Sequence, residues 1–298
     1  MKTLTALIHH QYDRLMPEIE ATQQALAAHG IRLEMADYES LGDPLPEGDA
    51  YLLQGMSGYH EDYAGFMETM KLLEASGKPC FNSPVLVRWN SDKIYMRELE
   101  EKGIATLPTL WADSLEPSLM EKAAANGWKN VVVKPTISAG AFHTIKLASS
   151  DSATWDAYLQ QAPKDKALMV QPFASEVVEE GEWSFLFFNG KFSHSLLKTA
   201  KAGDYRIQHV HGGGYVHLPP PPELLKDAQT VISLLPEIPL YGRVDGIRRD
   251  GRLYLMEVEL IEPFLYMLPD RQAVENYSAA LAGAFAAALG FAAVSGAA

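Results

Sequence analysis

Over the first eighty residues, short β-type runs alternate with stretches of helical period, and this alternation restricts the possible folds more than any other feature of the chain. The runs 4–8, 31–38, 50–54 and 79–82 are separated by helix-period segments at 15–29 and 62–76. A chain that returns to a strand after each helix builds a small parallel α/β lobe. Ligands of such lobes gather beyond the carboxyl ends of the strands. Those ends carry His9-His10-Gln11-Tyr12 and the turn Gly55-Met56-Ser57-Gly58-Tyr59, each of which also reads as an ordinary tight turn.

Beyond residue 85 the pattern changes. Asn90-Ser91-Asp92 reads as the cap of a helix over 93–102 that stops at Gly103, with Lys93 in its first turn. A helix over 117–126 follows, then the apolar run Val131-Val132-Val133-Lys134-Pro135, a small-residue loop at 136–143 and a second β-run at 144–147. A helix over 151–161 leads to a strand at 168–171, which ends at Pro172-Phe173 and opens an acidic loop, 176–182. Asn189-Gly190 joins the β-runs 183–188 and 191–197, a strong hairpin signal. Past a glycine-rich stretch (203–214) and a proline run (219–222) comes a helix to about residue 235. The chain then enters a hairpin of 242–247 and 253–260, turning at Arg249-Asp250-Gly251-Arg252, and a last helix from Asp270. Mixed α/β and α+β architecture in more than one lobe is the expectation.

Composition removes several function classes. At 298 residues and 47% hydrophobic the chain can bury a substantial core. A formal charge of −13 without a basic stripe argues against nucleic acid or an anionic membrane as partner, so an anionic ligand must be held by a few well-placed cations. Cys80 is the only cysteine, so no intrachain disulfide forms. It sits in an apolar run, where a small buried hydrophobe is the expectation rather than a nucleophile. The start MKTLTALIHH lacks the apolar run of a secretory signal, and the apolar stretch 279–294 is too short and too glycine-interrupted to span a bilayer. A cytoplasmic location and a packed terminal helix are expected.

Three carboxylates carry the chemistry. Period-two alternation puts Glu257 and Glu259 on one face of a strand, and the Asp-Gly turn brings Asp245 of the preceding strand beside them. Carboxylates facing a polyphosphate repel it unless a divalent cation intervenes, and hard oxygen ligands with phosphate co-ligands suit magnesium. The competing reading is a solvated polar strand face. Lys134 ends an apolar strand, where its charge requires a partner such as phosphate. Lys93 in a helical first turn would oppose the macrodipole and again favour an anionic ligand. Ser138-Ala139-Gly140-Ala141 could bring backbone N–H groups close to phosphates. It matches neither the P-loop nor the dinucleotide fingerprint.

The succession of Lys93, Val-Val-Lys134-Pro135, the small-residue loop, Val-Gln171-Pro172-Phe173, Gly181-Glu182, Asp204-Tyr205-Arg206 with Gly212-Gly213, Arg243-Val244-Asp245 and Met-Glu257-Val-Glu259 resembles the ATP-grasp superfamily over residues 85–285. Within it the chain is similar to the glutathione synthetase and ribosomal-protein glutamate-ligase branch, and most of all to the cyclo-ligases of cycloserine biosynthesis, which close an O-ureidoserine ring. The resemblance implies an amino-terminal Rossmann-like pre-ATP-grasp lobe (1–84), a central ATP-grasp lobe (85–172) and a carboxyl-terminal ATP-grasp lobe with the metal site (173–298). It implies ATP and two magnesium ions as cofactors, with manganese able to substitute. Lys93 and Lys134 would contact phosphates, with Ser138 and Gly140 in the loop beside them. Gln171, Pro172, Phe173 and Ala174 would hold adenine. Glu182, with Glu176 and Glu179 as alternatives, would take the ribose. Asp245, Glu257 and Glu259 would bind the metal. Arg206 would hold the substrate carboxylate and its acyl phosphate, with Arg243 and Lys198 as second choices. Two departures stand out: the family often has asparagine at the position of Glu259, and the glycine loop is short.

The implied activity is an ADP-forming carboxylate–amine ligase acting on an amino-acid-like small molecule, by ring closure or between two molecules. A kinase using the same nucleotide site and a non-catalytic nucleotide-binding regulator are the alternatives. A homodimer is an allowed assembly. His9-His10 and the group His209, His211 and His217 lack a further ligand at zinc spacing, so polar site lining or surface is their expected role.

Overall fold

The structure, a computed structural model, describes residues 1–9, 15–42, 44–113, 116, 118–162, 167–201, 213–268 and 270–290. The alternation of the first eighty residues folds as anticipated. β1 (Lys2–Ile8), α1 (Met16–Ala28), β2 (Ile31–Asp37), β3 (Ala50–Leu52), α2 (Tyr63–Ala75) and β4 (Cys80–Phe81) build a parallel sheet in the order β2-β1-β3-β4. Asp62 starts α2 by accepting the Gly65 N–H at 3.0 Å. Cys80 is half-buried, and burial pushes its thiol up to about 12, leaving a poor nucleophile.

Two helices replace the one predicted over 93–102. Pro84 at the first position and the Ser83 hydroxyl, which accepts the Leu86 N–H, start α3 (Pro84–Ser91). Asp92 is extended (φ −113°, ψ 121°) and breaks the run before α4 (Tyr95–Glu101). Lys93 therefore lies in the joint between helices, not in a helical first turn. Its own N–H bonds the Thr136 carbonyl at 2.9 Å.

A second sheet, antiparallel in the order β5-β8-β6-β7, contains β5 (Leu110–Ala112), β6 (Asn130–Pro135), β7 (Ile145–Ala148) and β8 (Leu168–Pro172). α5 (Leu119–Ala125) and α6 (Ser152–Gln161) cover it, burying Met120, Trp155 and Tyr158 against Val131, Val133 and Val170.

The acidic segment after β8 is only partly a loop. It forms the single-turn helix α7 (Glu176–Glu179), and Glu182 is already the first residue of β9 (Glu182–Phe188). With β10 (Lys191–Thr199), β11 (Gly214–His217), β12 (Tyr241–Arg249) and β13 (Arg252–Glu259), β9 forms a five-stranded antiparallel sheet, β11-β10-β9-β12-β13. The Asn189-Gly190 and Asp250-Gly251 turns close its hairpins, with all four residues at positive φ. β11 had no sequence signal, being a four-residue edge strand. α8 (Pro222–Ser233) packs on this sheet together with α3 and α4.

β13 is an edge strand; on its outer side the Leu255 N–H bonds the Ala105 carbonyl at 2.8 Å, and side chains satisfy the groups near its end. Asn90 donates to the Val258 carbonyl at 2.7 Å and accepts the Leu260 N–H at 2.9 Å. The Tyr95 hydroxyl donates to Val258 O at 3.1 Å and accepts its N–H at 2.9 Å. These bonds replace a neighbouring strand and fix where β13 presents its carboxylates. Finally α9 (Arg271–Leu289), capped by Asp270, buries Tyr277, Leu281 and Phe285 against α1 and the five-stranded sheet. Among the described residues no helix is long and apolar enough to cross a membrane.

Candidate active site

The β12–β13 ladder pairs Asp245 with Glu257 and Arg243 with Glu259. The register slips after Asp245, so that Gly246 faces Leu255. A Cβ on Gly246 would stand 2.6 Å from Leu253 Cδ1 and 2.7 Å from the Tyr254 carbonyl, so this bulge requires glycine.

The three carboxylates come together but do not share one role. Asp245 is 2% exposed and accepts bonds from Ser184 Oγ (2.6 Å), Lys198 Nζ (2.9 Å) and Arg243 Nε and Nη2 (3.0 Å each). Burial works to raise its pKa, but Arg243 and Lys198 outweigh it and hold the carboxyl well below the usual range. Both its oxygens accept bonds from protein donors, an arrangement in which Asp245 organises Arg243 and Lys198 beside the expected metal carboxylates. Arg243 also bonds Glu259 and donates Nη1 to the Phe264 carbonyl at 2.9 Å. Lys198 pairs with Glu182 at 2.6 Å. Both second choices for gripping a substrate carboxylate are thus engaged with protein carboxylates. Arg206, the first choice, lies outside the described residues, as do His10, Gln11, Tyr12, Asp204, Tyr205, His209, His211 and Gly212.

Glu257 and Glu259 are open to the cavity, with side chains 33% and 24% exposed. Burial tends to raise the Glu257 carboxyl, but Lys93 at 3.1 Å and nearby Lys134 bring it below its ordinary value. Burial, with Asp245 and Glu257 beside it, pushes Glu259 up to about 7 against the pull of Arg243. Lys93 Nζ also donates to the Ser138 carbonyl at 2.5 Å, tying the small-residue loop to the carboxylate strand. In that loop Gly140 (φ 58°), Ala141 (φ 63°) and His143 (φ 47°) turn left-handed, a backbone that can turn N–H groups toward an anion. Lys134 is half-buried, and among the described residues no carboxylate stands within salt-bridge distance of it. Burial lowers its pKa, which Glu257 only partly offsets.

Two cavities share the wall made by Lys134, Lys198, Arg243, Glu257 and Glu259. The smaller, about 150 Å³, is a mostly apolar slot that contains Gln171, Pro172, Phe173, Ala174 and Glu182, with Leu107, Val132, Val177 and Met256 around them and Asp245 at its base. Glu176 is instead bonded to Arg249 at 2.5 and 2.9 Å, and Glu179 is exposed, so only Glu182 of the three acids reaches the slot. The larger cavity, about 590 Å³, holds Lys93, Ser138 and Gly140 on one side. Ser57, Gly58, Tyr59 and His60 of the amino-terminal lobe, with Glu262, Phe264 and Tyr266, form the rest. His9 stands behind this wall, paired with Glu39 at 3.1 Å.

The sequence did not single out Glu262, Phe264 or Tyr266, because the chain has left β13 there and alternation no longer gives direction. Burial, with Glu259 and Glu257 nearby, pushes the Glu262 carboxyl up to about 8. Asn90 and Tyr95 act on β13 across more than 160 residues of sequence, which no local pattern reveals. His217 stacks on His194 (5.6 Å, 14°), whose Nε2 bonds the Leu265 carbonyl and whose pKa burial lowers to about 4.

Among the described residues no group of three or more His, Cys, Asp or Glu stands at metal-holding spacing. Magnesium is commonly held through one or two carboxylates plus substrate phosphates. Glu257 and Glu259 supply such a pair. The four cavity cations Lys93, Lys134, Lys198 and Arg243 face five carboxylates, Glu182, Asp245, Glu257, Glu259 and Glu262. A polyphosphate entering that balance needs a divalent cation.

The fold is that of solved ATP-grasp ligase structures, as the succession of motifs implied. No family profile matches the chain. Among curated proteins it is similar to the cycloserine biosynthesis protein DcsG of Streptomyces lavendulae, at 25% identity over 272 residues, covering 87% of this chain and 91% of that protein. Among solved structures it is similar to D-cycloserine synthetase DcsG (TM-score 0.82, 21% identity, 95% of this chain and 99% of that one). It is also similar to a Bacillus anthracis D-alanine–D-alanine ligase complexed with ATP (TM-score 0.68, 19% identity, 97% of each chain).

Proposed function

We propose that this enzyme joins the carboxylate of an amino-acid-like molecule to a nitrogen nucleophile through an acyl phosphate, and the similarity to the cycloserine biosynthesis proteins supports ring closure of an O-ureidoserine-type substrate. The observation that carries the reading is Lys134, a cavity-facing lysine short of a counter-charge, on the wall shared by an apolar slot and a larger polar chamber. An anion between the two would supply that charge. The slot suits adenine, with the Glu182 carboxylate placed for ribose hydroxyls. The chamber, of ordinary small-ligand volume, suits the acceptor next to the terminal phosphate.

Lys93, Lys134 and the N–H groups of the loop around Gly140 would grip the phosphates. Glu257 and Glu259 would hold magnesium, which when bound offsets charge on the transferring phosphoryl group. A substrate carboxylate oxygen attacks the γ-phosphorus, giving ADP and the acyl phosphate. The nitrogen then attacks the acyl carbon, phosphate leaves with the bonding electrons, and the nitrogen loses a proton. In the intramolecular case the product is the substrate minus one water. Arg206 as the group that holds the carboxylate rests on the family resemblance alone.

A screen of amino acids, O-ureidoserine and simple amines tests the reading by ADP and phosphate release and by product mass. ADP without free phosphate would indicate a kinase. Glu257→Gln is expected to abolish magnesium-dependent ADP release while the protein stays folded, and wild-type turnover by that variant would sink the assignment.

A further inference from the structure

We propose that Glu18, on the first helix of the amino-terminal lobe, is a positioning residue that sets the chamber wall formed by Phe264 and Tyr266 and, through it, Arg243. Glu18 is 1% exposed, yet it is a carboxylate that makes no contact with the chamber. Its Oε2 accepts the Leu265 N–H at 3.0 Å and its Oε1 the Met267 N–H at 2.8 Å. Between them Tyr266 has φ 52°, a left-handed conformation that is unfavourable for a tyrosine and must be held by its surroundings.

Two N–H groups flanking a left-handed residue form a small anion-binding concavity. Elsewhere such nests take phosphate or a ligand carboxylate, whereas here the anion is part of the chain. Burial pushes the Glu18 carboxyl up to about 7, opposed by the two N–H bonds and by the charge of Arg243.

The consequence reaches the charged cluster in two short steps. Phe264 and Tyr266 line the chamber, and the Tyr266 ring packs 4.7 Å from both Tyr215 and Phe264 and 5.7 Å from the Arg243 guanidinium. The Phe264 carbonyl accepts Arg243 Nη1, and the same arginine bonds Asp245 and Glu259. The opposite side of the segment is fixed by His194, bonded to the Leu265 carbonyl at 2.9 Å. Releasing Glu18 would let Tyr266 relax to negative φ, moving the ring and the carbonyl that hold Arg243.

The kinetic part of the test rests on the reading that the chamber seats the carboxylate substrate. In Glu18→Gln, which is isosteric, one amide oxygen can accept while the amide N–H₂ faces the second backbone donor. Glu18→Ala removes both acceptors. With folding verified by thermal melting, the KM for O-ureidoserine, or for the carboxylate found by the ADP screen, is expected to rise at least tenfold in Glu18→Gln. The dissociation constant for ATP with magnesium should stay within twofold. A lower melting temperature with unchanged KM would reduce Glu18 to a structural residue and overturn the proposal. If the wild type releases no ADP with any carboxylate, the functional reading fails separately. Amide exchange then decides: at Leu265 and Met267 it should be at least tenfold faster in Glu18→Gln, and unchanged exchange overturns the positioning role.

Discussion

Replacing Asp245 by asparagine separates an organiser from a metal ligand. Asp245 lies at the centre of a buried cluster in which Arg243 and Lys198 are shared with Glu182 and Glu259. Removing one partner of a buried ion pair costs ~3–5 kcal/mol, because the remaining charges stay desolvated. Asparagine keeps the volume and one accepting oxygen, so about 3 kcal/mol is the working figure. Unfolding entropies of ~2.1 cal/mol/K per residue then give a fall in melting temperature of roughly 5 °C for a chain of 298 residues. The sign with pH follows from the depressed carboxyl. Its contribution is fully present above the unfolded value of ~3.9 and is lost as pH falls through the lower folded value, so wild type and Asp245→Asn should converge only in strong acid. The assay is calorimetric melting at pH 7 beside a magnesium titration of ATP binding. A variant that melts within about 1 °C of wild type but no longer responds to magnesium would refute this account and restore the direct-ligand role.

Two further outcomes are expected. Glu182→Gln should raise the KM for ATP about tenfold, or ~1.4 kcal/mol, whereas Glu176→Gln, which breaks only the pair with Arg249, should leave it unchanged; equal effects in steady-state assays would remove Glu182 from the ribose site. In the proposed metal site magnesium would compete with a proton on Glu259, whose carboxyl is pushed up to about 7, so apparent magnesium affinity should fall about tenfold per pH unit below that value and should flatten in Glu259→Gln. Without metal the linkage has the opposite sign to that of Asp245: the raised carboxyl contributes stability below its unfolded value that is lost as pH rises through about 7, so magnesium should raise the melting temperature more at pH 8 than at pH 6.

The parts of the molecule legible in the sequence are those set by local physics. Alternation gave the parallel lobe, the Asn189-Gly190 and Asp250-Gly251 turns gave the hairpins, and period two gave the shared face of Glu257 and Glu259. The joint at Asp92 was missed because Asn90 and Ser91 resemble a helix cap, while Asn90 in fact uses its side chain on β13. The buried partners of Asp245 were hidden for a similar reason. A carboxylate opposite Glu257 reads as a ligand in one dimension, and only the packed structure shows that Ser184, Lys198 and Arg243 reach it first. Glu18 carried no signal at all, since its partners lie almost 250 residues away.

Glu259 shows how a departure from the family pattern is absorbed by its neighbours. Where asparagine offers a neutral oxygen, glutamate would add a full negative charge beside Glu257 and Asp245. Two features of the site reduce that difference. Arg243 bonds the carboxylate directly, and burial raises it to about 7, so near neutral pH a large share of the molecules carry it protonated. In that form it offers the neutral carbonyl oxygen that asparagine would, and a bound divalent cation would favour the anionic form. With Glu259 in its proposed metal-holding role, glutamate would make metal binding more dependent on pH than asparagine would, without altering the positions of Glu257, Lys93 and Lys134.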